Sequence, residues 1–481
     1  MDTPSLPGKP SDGPLQTLHS TSTAMTDAHP GSSDLELSPA SVMEGFPPAL
    51  FQDRRARVLE LLEDDVMVLP AAAPLLRSRD SELPYRPDSE LFYLTGFPEP
   101  EGVLVLRGFA DETRSLLFVR DRDRSAEQWT GPRVGPRGAV NRFGVEESHP
   151  ISELAQRLPG LLEGARHIHF RLGAHPAVEP LVIQALRQSR IRGARTGTGP
   201  RGVVDPGGIL DEMRLRKGPE EIQAVRQAVD VTVEGFRAGF RSVAPGRGEW
   251  EVQAAVEGAF RAHGAAGPAF ATIVGSGANG CVLHYVENRD RIGDRDLVLI
   301  DAGAEVRLYA GDLTRTVPAS GRFTPEQEAV YEVVEAARAA AVAQVEPGVT
   351  LQEVHRAARD VLLEGLRGLG VLSGAVDELL DRKAHRLYFP HRTSHWLGMD
   401  THDPGDYLRG GKERQLEPGM VLTVEPGLYF PAGESDPDPG HPFTGIGIRI
   451  EDDVLVTAEG AEVLSAALPT ALDDVAASIR G

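Results

Sequence analysis

Residues 297–316 read LVLIDAGAEVRLYAGDLTRT. The apolar run 297–300 has the length and composition of a buried strand, and it stops at Asp301. A second carboxylate, Asp312, follows eleven residues on, past a Gly/Ala turn and another strand-like stretch at 305–309. A hairpin can bring two such positions to one rim of a sheet. An Asp in isolation is most simply a turn residue. This pair is not isolated. Glu425 follows Leu422, Thr423 and Val424 in TVEPGLY (423–429), and Glu451 closes the strand-like GIRIED (447–452). Between the two pairs stands His395, in HRTSHWLGMDTHD (391–403). No apolar packing rule places four carboxylates at the ends of strongly apolar runs. Four carboxylates and one imidazole suit two divalent cations about 3.5–4 Å apart that share one activated water. The chemistry they point to is hydrolysis.

Outward from the hairpin, helical periodicity takes over on both sides. Pro219 suits a first turn, and Glu220 and Glu221 suit the positive end of the helix dipole. Apolar residues then recur at Ile222, Val225, Val229, Val233, Phe236 and Phe240, in steps of three and four that keep one face buried. A second amphipathic helix is expected over 250–262, and two more over 325–345 and 351–365. Strand-like segments at 271–275, 297–300, 305–309, 421–424 and 446–450 lie between and after these pairs. Helix pairs separated by blocks of strands predict an internal duplication, with helices on one face of a curved antiparallel sheet. Upstream, 46–202 alternates short apolar runs (66–69, 103–106, 116–119, 167–170) with helical stretches (51–62, 151–162). That is an α/β unit of ordinary domain size. The Gly/Arg/Pro-rich GARTGTGPRGVVDPGG (193–208) marks the boundary.

His391, His395 and His402 fall within twelve residues of a chain that has only 14 histidines. His391 and His395 have helical spacing, but Pro390 and Gly398 predict a loop or irregular strand. One of the three fits as a metal ligand, and the others fit near substrate, where imidazole can donate hydrogen bonds. His284 and Tyr285, in VLHYVENR (282–289), add a polar position just upstream of the Asp301 run. A mixed oxygen and nitrogen donor set without thiolates suits Mn, Co, Fe or Zn. Arg449 shares the Glu451 side of its strand by the period-two rule. There it either orients that carboxylate or forms a structural ion pair. Three other patterns are set aside. GSGANG (275–280) lacks the Lys and helix of a phosphate loop and is expected to be a turn. Ser394 beside His395 lacks the Gly-x-Ser-x-Gly frame. Cys281 adjoins an apolar stretch and is expected to be buried rather than nucleophilic.

At 481 residues the chain needs two or three domains. Its formal net charge of −21 argues against nucleic acid, which requires a basic face. One cysteine excludes a disulfide framework and a thiolate metal cluster. No run of 18 apolar residues is present, so no membrane helix is expected. Residues 1–45 are rich in Ser, Pro, Thr, Gly and Asp and lack the apolar core of a signal peptide. They are expected to be a disordered extension or an overcalled start, with Met25 and Met43 as alternative starts. A cytoplasmic protein is expected.

Taken in order, these motifs resemble the Xaa-Pro aminopeptidases (aminopeptidase P) of the pita-bread metallopeptidase superfamily. The resemblance covers about 46–465, and YRPDSELFYLTGFPEPEGVLVL (85–106) is also typical of that family. It implies an α+β fold. A smaller α/β domain (46–205) would precede a C-terminal pita-bread domain (206–481), in which a curved antiparallel sheet carries two helix pairs in pseudo-duplicated halves. It implies two divalent metal ions per chain, usually Mn(II). Asp301 would bind one of them, Asp312 and Glu451 would bridge both, and His395 and Glu425 would bind the other. His284, His391 and His402 match substrate-facing histidines, with His284 or His402 stabilising the oxyanion and Glu425 also shuttling the proton. The implied activity removes the N-terminal residue from peptides with proline second. A homo-oligomer, dimer or tetramer, is expected. One position departs: Arg392 follows His391 where the family commonly has Gly, which bears on the shape of the substrate wall. Two rivals remain. A prolidase would share the ligands but take only dipeptides, and a non-catalytic peptide-binding relative would be expected to have lost ligands.

Overall fold

Glu221 shows how the second half of the chain is anchored to the first. Its carboxylate accepts from the Gly218 N–H at 3.0 Å, closing the first turn of the helix Pro219–Ser242. It also accepts from the Tyr309 hydroxyl at 2.8 Å and pairs with Arg54 at 3.0 Å. Val225, Val229, Val233, Phe236 and Phe240 on this helix are buried as their spacing predicts, while Ile222 is only half-buried. The next helix, Glu249–Ala262, packs close because Gly235 leaves room: a Cβ there would meet the Phe260 ring at 2.2 Å. The second pair, Pro325–Ala343 and Leu351–Gly368, is started by Thr324 and Thr350. Each hydroxyl caps the backbone three residues on, and Gln327 and Glu353 reach back.

In this computed structural model residues 45–109, 114–195, 197–433 and 440–479 are described. The expected extension over 1–45 lies outside them apart from Gly45. Behind the first helix pair, Leu297–Ala302 pairs antiparallel with Ile273–Ser276 on one side and Leu313–Pro318 on the other. Behind the second pair, Asp452–Thr457 lies antiparallel between Val421–Val424 and Gly460–Val463. An isolated bridge, Thr314 to Glu451, links the sheets of the two halves. The pseudo-duplicated α+β architecture is therefore present, built from short antiparallel sheets.

One local expectation is corrected. Residues 305–309 do not form one strand but a tight hairpin of Ala304–Val306 and Tyr309–Ala310. Arg307 and Leu308 turn the chain with φ of 52° and 68°. Two consecutive left-handed residues fit the twist of a hairpin, and nothing in this pair's composition announces it.

The upstream region is a six-stranded mixed sheet. From edge to edge it runs Glu147–Pro150, Ser115–Val119, Val103–Arg107, Val66–Pro70, His167–His169 and Gly202–Val204. Val66 and Val68 face one apolar layer with Leu154, Leu158 and Val182. Met67 and Leu69 face the other, which runs on through Phe51 and Phe92 into the core beneath the downstream helices. Burial on both faces explains the uninterrupted apolar runs. Helices at Ser89–Thr95, Arg124–Thr130, Gly135–Phe143, Glu179–Gly193 and Gly207–Leu215 were not anticipated.

Candidate active site

Strand register explains how distant carboxylates meet. Asp301 is the neighbour of Thr314 across the sheet, and Thr314 in turn bridges to Glu451. Thr314 Oγ1 donates to Glu451 Oε2 at 2.6 Å. The Asp312 N–H donates to Asp453 Oδ2 at 2.9 Å, which fixes the second Asp. The 391–403 segment is irregular, as its Pro and Gly predict, and is held in line by a bridge between Trp396 and Leu422. That bridge puts His395 beside Glu425: His395 Nε2 lies 3.8 Å from Glu425 Oε1 and 3.4 Å from Asp312 Oδ2. Ligand atoms of Asp312, His395 and Glu451 all lie within 4.8 Å of one another. All eight residues singled out from sequence (His284, Asp301, Asp312, His391, His395, His402, Glu425 and Glu451) line one open cavity of about 1310 Å³.

The electrostatics of this cluster call for a cation. Burial, with Asp312 as a like-charged neighbour, pushes Asp301 up to about 6 although Arg449 opposes it. Burial and the neighbouring Asp312 and Asp301 push Glu425 up to about 7. Glu451 is raised well above the carboxylate range by burial and then by the other three. Burial would lower His395, but Asp312 and Glu425 hold it up at about 9. Protons are thus doing what a divalent ion would do. Asp301 Oδ1 is buried without a hydrogen-bond partner among the described residues, which leaves its lone pairs available to a cation. The donor set fits hard or borderline divalent metal.

Arg449 contacts Asp301 rather than Glu451, through Nη2 to Oδ2, and also donates from Nε to Thr314 Oγ1 at 3.1 Å. Its Nη1 donates to the Tyr429 hydroxyl at 2.9 Å, and that hydroxyl lies 2.9 Å from His391 Nε2. Burial, then the Arg449 charge, depresses His391 to about 3, so its ring is neutral. With Nδ1 2.7 Å from Arg392 O, the one ring proton sits on Nδ1 and Nε2 accepts from Tyr429. Both nitrogens of His391 are therefore engaged. His284 and His402 are exposed to the cavity and their rings make no hydrogen bond among the described residues. His402 packs edge-on against His395, centroids 4.5 Å apart.

The loop bearing His402 is clamped from three sides. Arg86 and Ser89, from the upstream region, reach Met399 O at 2.6 Å and Asp400 Oδ1 at 2.8 Å. Arg214 meets Asp400 and Asp403, each at 2.7 Å. Lys217, 1% exposed at its side chain, meets Asp403 at 2.9 Å. Tyr429 sat in a quoted motif but was passed over, and Arg86 lay in the family-like 85–106 stretch. Thr314, Arg86 and Asp453 carried no local sign of their roles. Cys281 donates to Phe430 O at 3.3 Å and burial raises its thiol to about 12, so it is no nucleophile. GSGANG is not a simple turn: Gly275 and Ser276 end the strand Ile273–Ser276, and the chain runs straight into the 3₁₀ segment Gly277–Cys281.

Two family descriptions match this chain: metallopeptidase family M24 over residues 223–458 and the aminopeptidase P N-terminal domain over 51–169. The Xaa-Pro aminopeptidase of Escherichia coli is 42% identical over 420 residues, covering 87% of this chain and 94% of that one. The chain belongs to the M24 metallopeptidases of aminopeptidase P type. Among solved structures, the Pseudomonas aeruginosa aminopeptidase PepP superposes with a TM-score of 0.86 at 40% identity, covering 90% of this chain and 98% of that one. A substrate complex of Escherichia coli aminopeptidase P superposes with a TM-score of 0.85, also at 40% identity, covering 90% of this chain and 98% of that one. This M24 member is a metal-dependent hydrolase. Among the described residues no helix is long and apolar enough to cross a membrane.

Proposed function

We propose that this chain is an Xaa-Pro aminopeptidase that releases the first residue of peptides whose second residue is proline. The observation that carries this is the convergence of Asp301, Asp312, His395, Glu425 and Glu451 in one cavity of an aminopeptidase P-type chain. Two divalent ions, Mn(II) by preference, would be held with Asp312 and Glu451 between them, Asp301 on one side, and His395 and Glu425 on the other. When bound, they supply acidity toward water and toward the scissile carbonyl oxygen. Glu425, ionised when metal is held, takes a proton from the attacking water and delivers it to the proline nitrogen as the bond breaks. His402 and His284, with free ring nitrogens, donate to the oxygen on which negative charge develops. His391 keeps Tyr429 and Arg449 in place beside Asp301 and offers its ring to the substrate wall.

The deciding assay is hydrolysis of short peptides with and without second-position proline, before and after chelation and Mn(II) replenishment. Activity that is indifferent to proline, or that survives metal removal, would overturn the proposal. Cleavage of Xaa-Pro dipeptides but not of Xaa-Pro-Xaa tripeptides would move the assignment to prolidase. The proposal includes a catalytic region over 206–481 behind an N-terminal region over 46–205. It also includes a homo-oligomer, tested by light scattering. Cytoplasmic placement is supported by the single cysteine and tested by fractionation.

A further inference from the structure

The cavity has a floor and a rim. Asp301, Asp312 and Glu451, 8%, 5% and 2% exposed, form the floor, while Val286 and Leu408, 49% and 56% exposed, mark the rim. Arg392 is an exposed residue on that rim, next in sequence to His391. Among the described residues it is the one charged side chain lining the cavity that makes no hydrogen bond or ion pair. The other rim charges are satisfied. Arg86 pairs with Glu305, Arg414 with Glu212, and Glu413 accepts from Thr350 Oγ1 at 3.0 Å. The Arg392 guanidinium meets only the Tyr407 ring, 6.0 Å from its centroid. It therefore presents its planar set of N–H donors to the cavity mouth.

We propose that Arg392 is a specificity-determining residue that binds a carboxylate carried by the substrate beyond its proline. The inference rests on the Xaa-Pro assignment above. Only one residue precedes the bond to be cut, so all further length of the peptide leaves the floor and passes the rim. A carboxylate there matches guanidinium geometry, with two parallel N–H···O bonds. The chain as a whole is acidic, but charges more than about 8 Å away are largely screened at physiological salt. The nearby free cation thus decides which charge is welcome. The carboxylate can be the C-terminus of a tripeptide or an Asp or Glu side chain in third position.

Two substrate pairs separate these sources: an Xaa-Pro-Ala free acid against its amide, and Xaa-Pro-Glu-amide against Xaa-Pro-Gln-amide. In at least one pair the charged member is expected to have about fivefold higher kcat/KM, expressed in KM, as suits a solvent-exposed guanidinium–carboxylate pair. The ratio should shrink in high salt. It should fall towards one in Arg392→Gln and in Arg392→Gly, and survive in part in Arg392→Lys. Ratios near one in the unaltered enzyme, or a ratio that persists in both neutral variants, would overturn the role of Arg392 alone. Failure to cleave any Xaa-Pro peptide would overturn the underlying assignment and this proposal with it.

Discussion

At the scale of single residues, the ligand cluster makes sharp demands. Asp312 and Glu451 are assigned to both ions, so Asp312→Asn and Glu451→Gln should each lose both metals and nearly all activity. Elemental analysis and turnover check this, and a variant retaining two ions and full rate would refute the bridging assignment. The histidines should divide by role. His395→Ala should lose metal, because it removes the one nitrogen donor from an otherwise oxygen set. His391→Ala and His402→Ala should keep both ions but lose kcat, His402→Ala by about 10²–10³ as removal of one oxyanion-type donor does. For His391 the loss would arise through Tyr429 and Arg449, so Tyr429→Phe should reproduce part of it. Apart from Tyr429, every one of these positions was legible as a candidate from its short motif. What Arg449 touches was not: strand periodicity paired it with Glu451, yet its guanidinium crosses to Asp301, 148 positions away in the chain.

At the scale of elements, the loop carrying His402 depends on charges supplied by two other segments, Arg86 and the 214–217 stretch. Asp403 is buried against Lys217 and Arg214, which hold its carboxyl below the usual range despite the opposing effect of burial. Asp403→Ala would leave the buried Lys217 ammonium without a counter-charge and should lower stability by about 3–5 kcal/mol. Denaturant unfolding measures this. In the surviving folded enzyme, kcat should fall while metal content stays at two, because the loop and not the ligand set is disturbed. A variant with unchanged stability would show that the ion pair contributes nothing. The four helices of the two downstream pairs were visible beforehand to within a few residues because their apolar spacing is local, whereas the short helices upstream were not. The hairpin at 304–310 and the clamp around 399–403 were not, since their partners lie in other parts of the chain.

At the scale of the whole molecule, metal and proton compete for one site. Without metal, Asp301, Glu425 and His395 hold protons more tightly in the folded chain than their ordinary values of 3.8, 4.5 and 6.5 allow, at about 6, 7 and 9. The folded form therefore binds more protons than the unfolded form across this interval. Its stability from these groups is greatest at the acid end and is lost as pH rises. The metal-free protein should show a Tm that declines between about pH 5 and about pH 9, and the metal-loaded protein a flatter profile with protons released on loading. A metal-free Tm that climbs over that range would contradict this account. Residues 1–44 lie outside the described part of the chain, and their composition leaves little apolar surface to bury. A chain beginning at Met43 should fold and hydrolyse Xaa-Pro peptides at an unchanged rate. Loss of folding on that truncation would show that the segment belongs to the core.

Local order in the chain was enough to announce the helix pairs, the apolar strands and the motifs of the candidate site. Helical and strand periods repeat within a few residues, and ligand motifs need only their own neighbours to be recognised. Tertiary structure alone decided which of those residues meet. The Thr314 bridge that joins the two halves, the Tyr429 link between His391 and Arg449, and the reach of Arg86 to Met399 across 313 positions depend on register and on side-chain direction. Both are set when sheets and helices pack around a common core, since a hydrogen bond between distant segments leaves no period in the sequence of either.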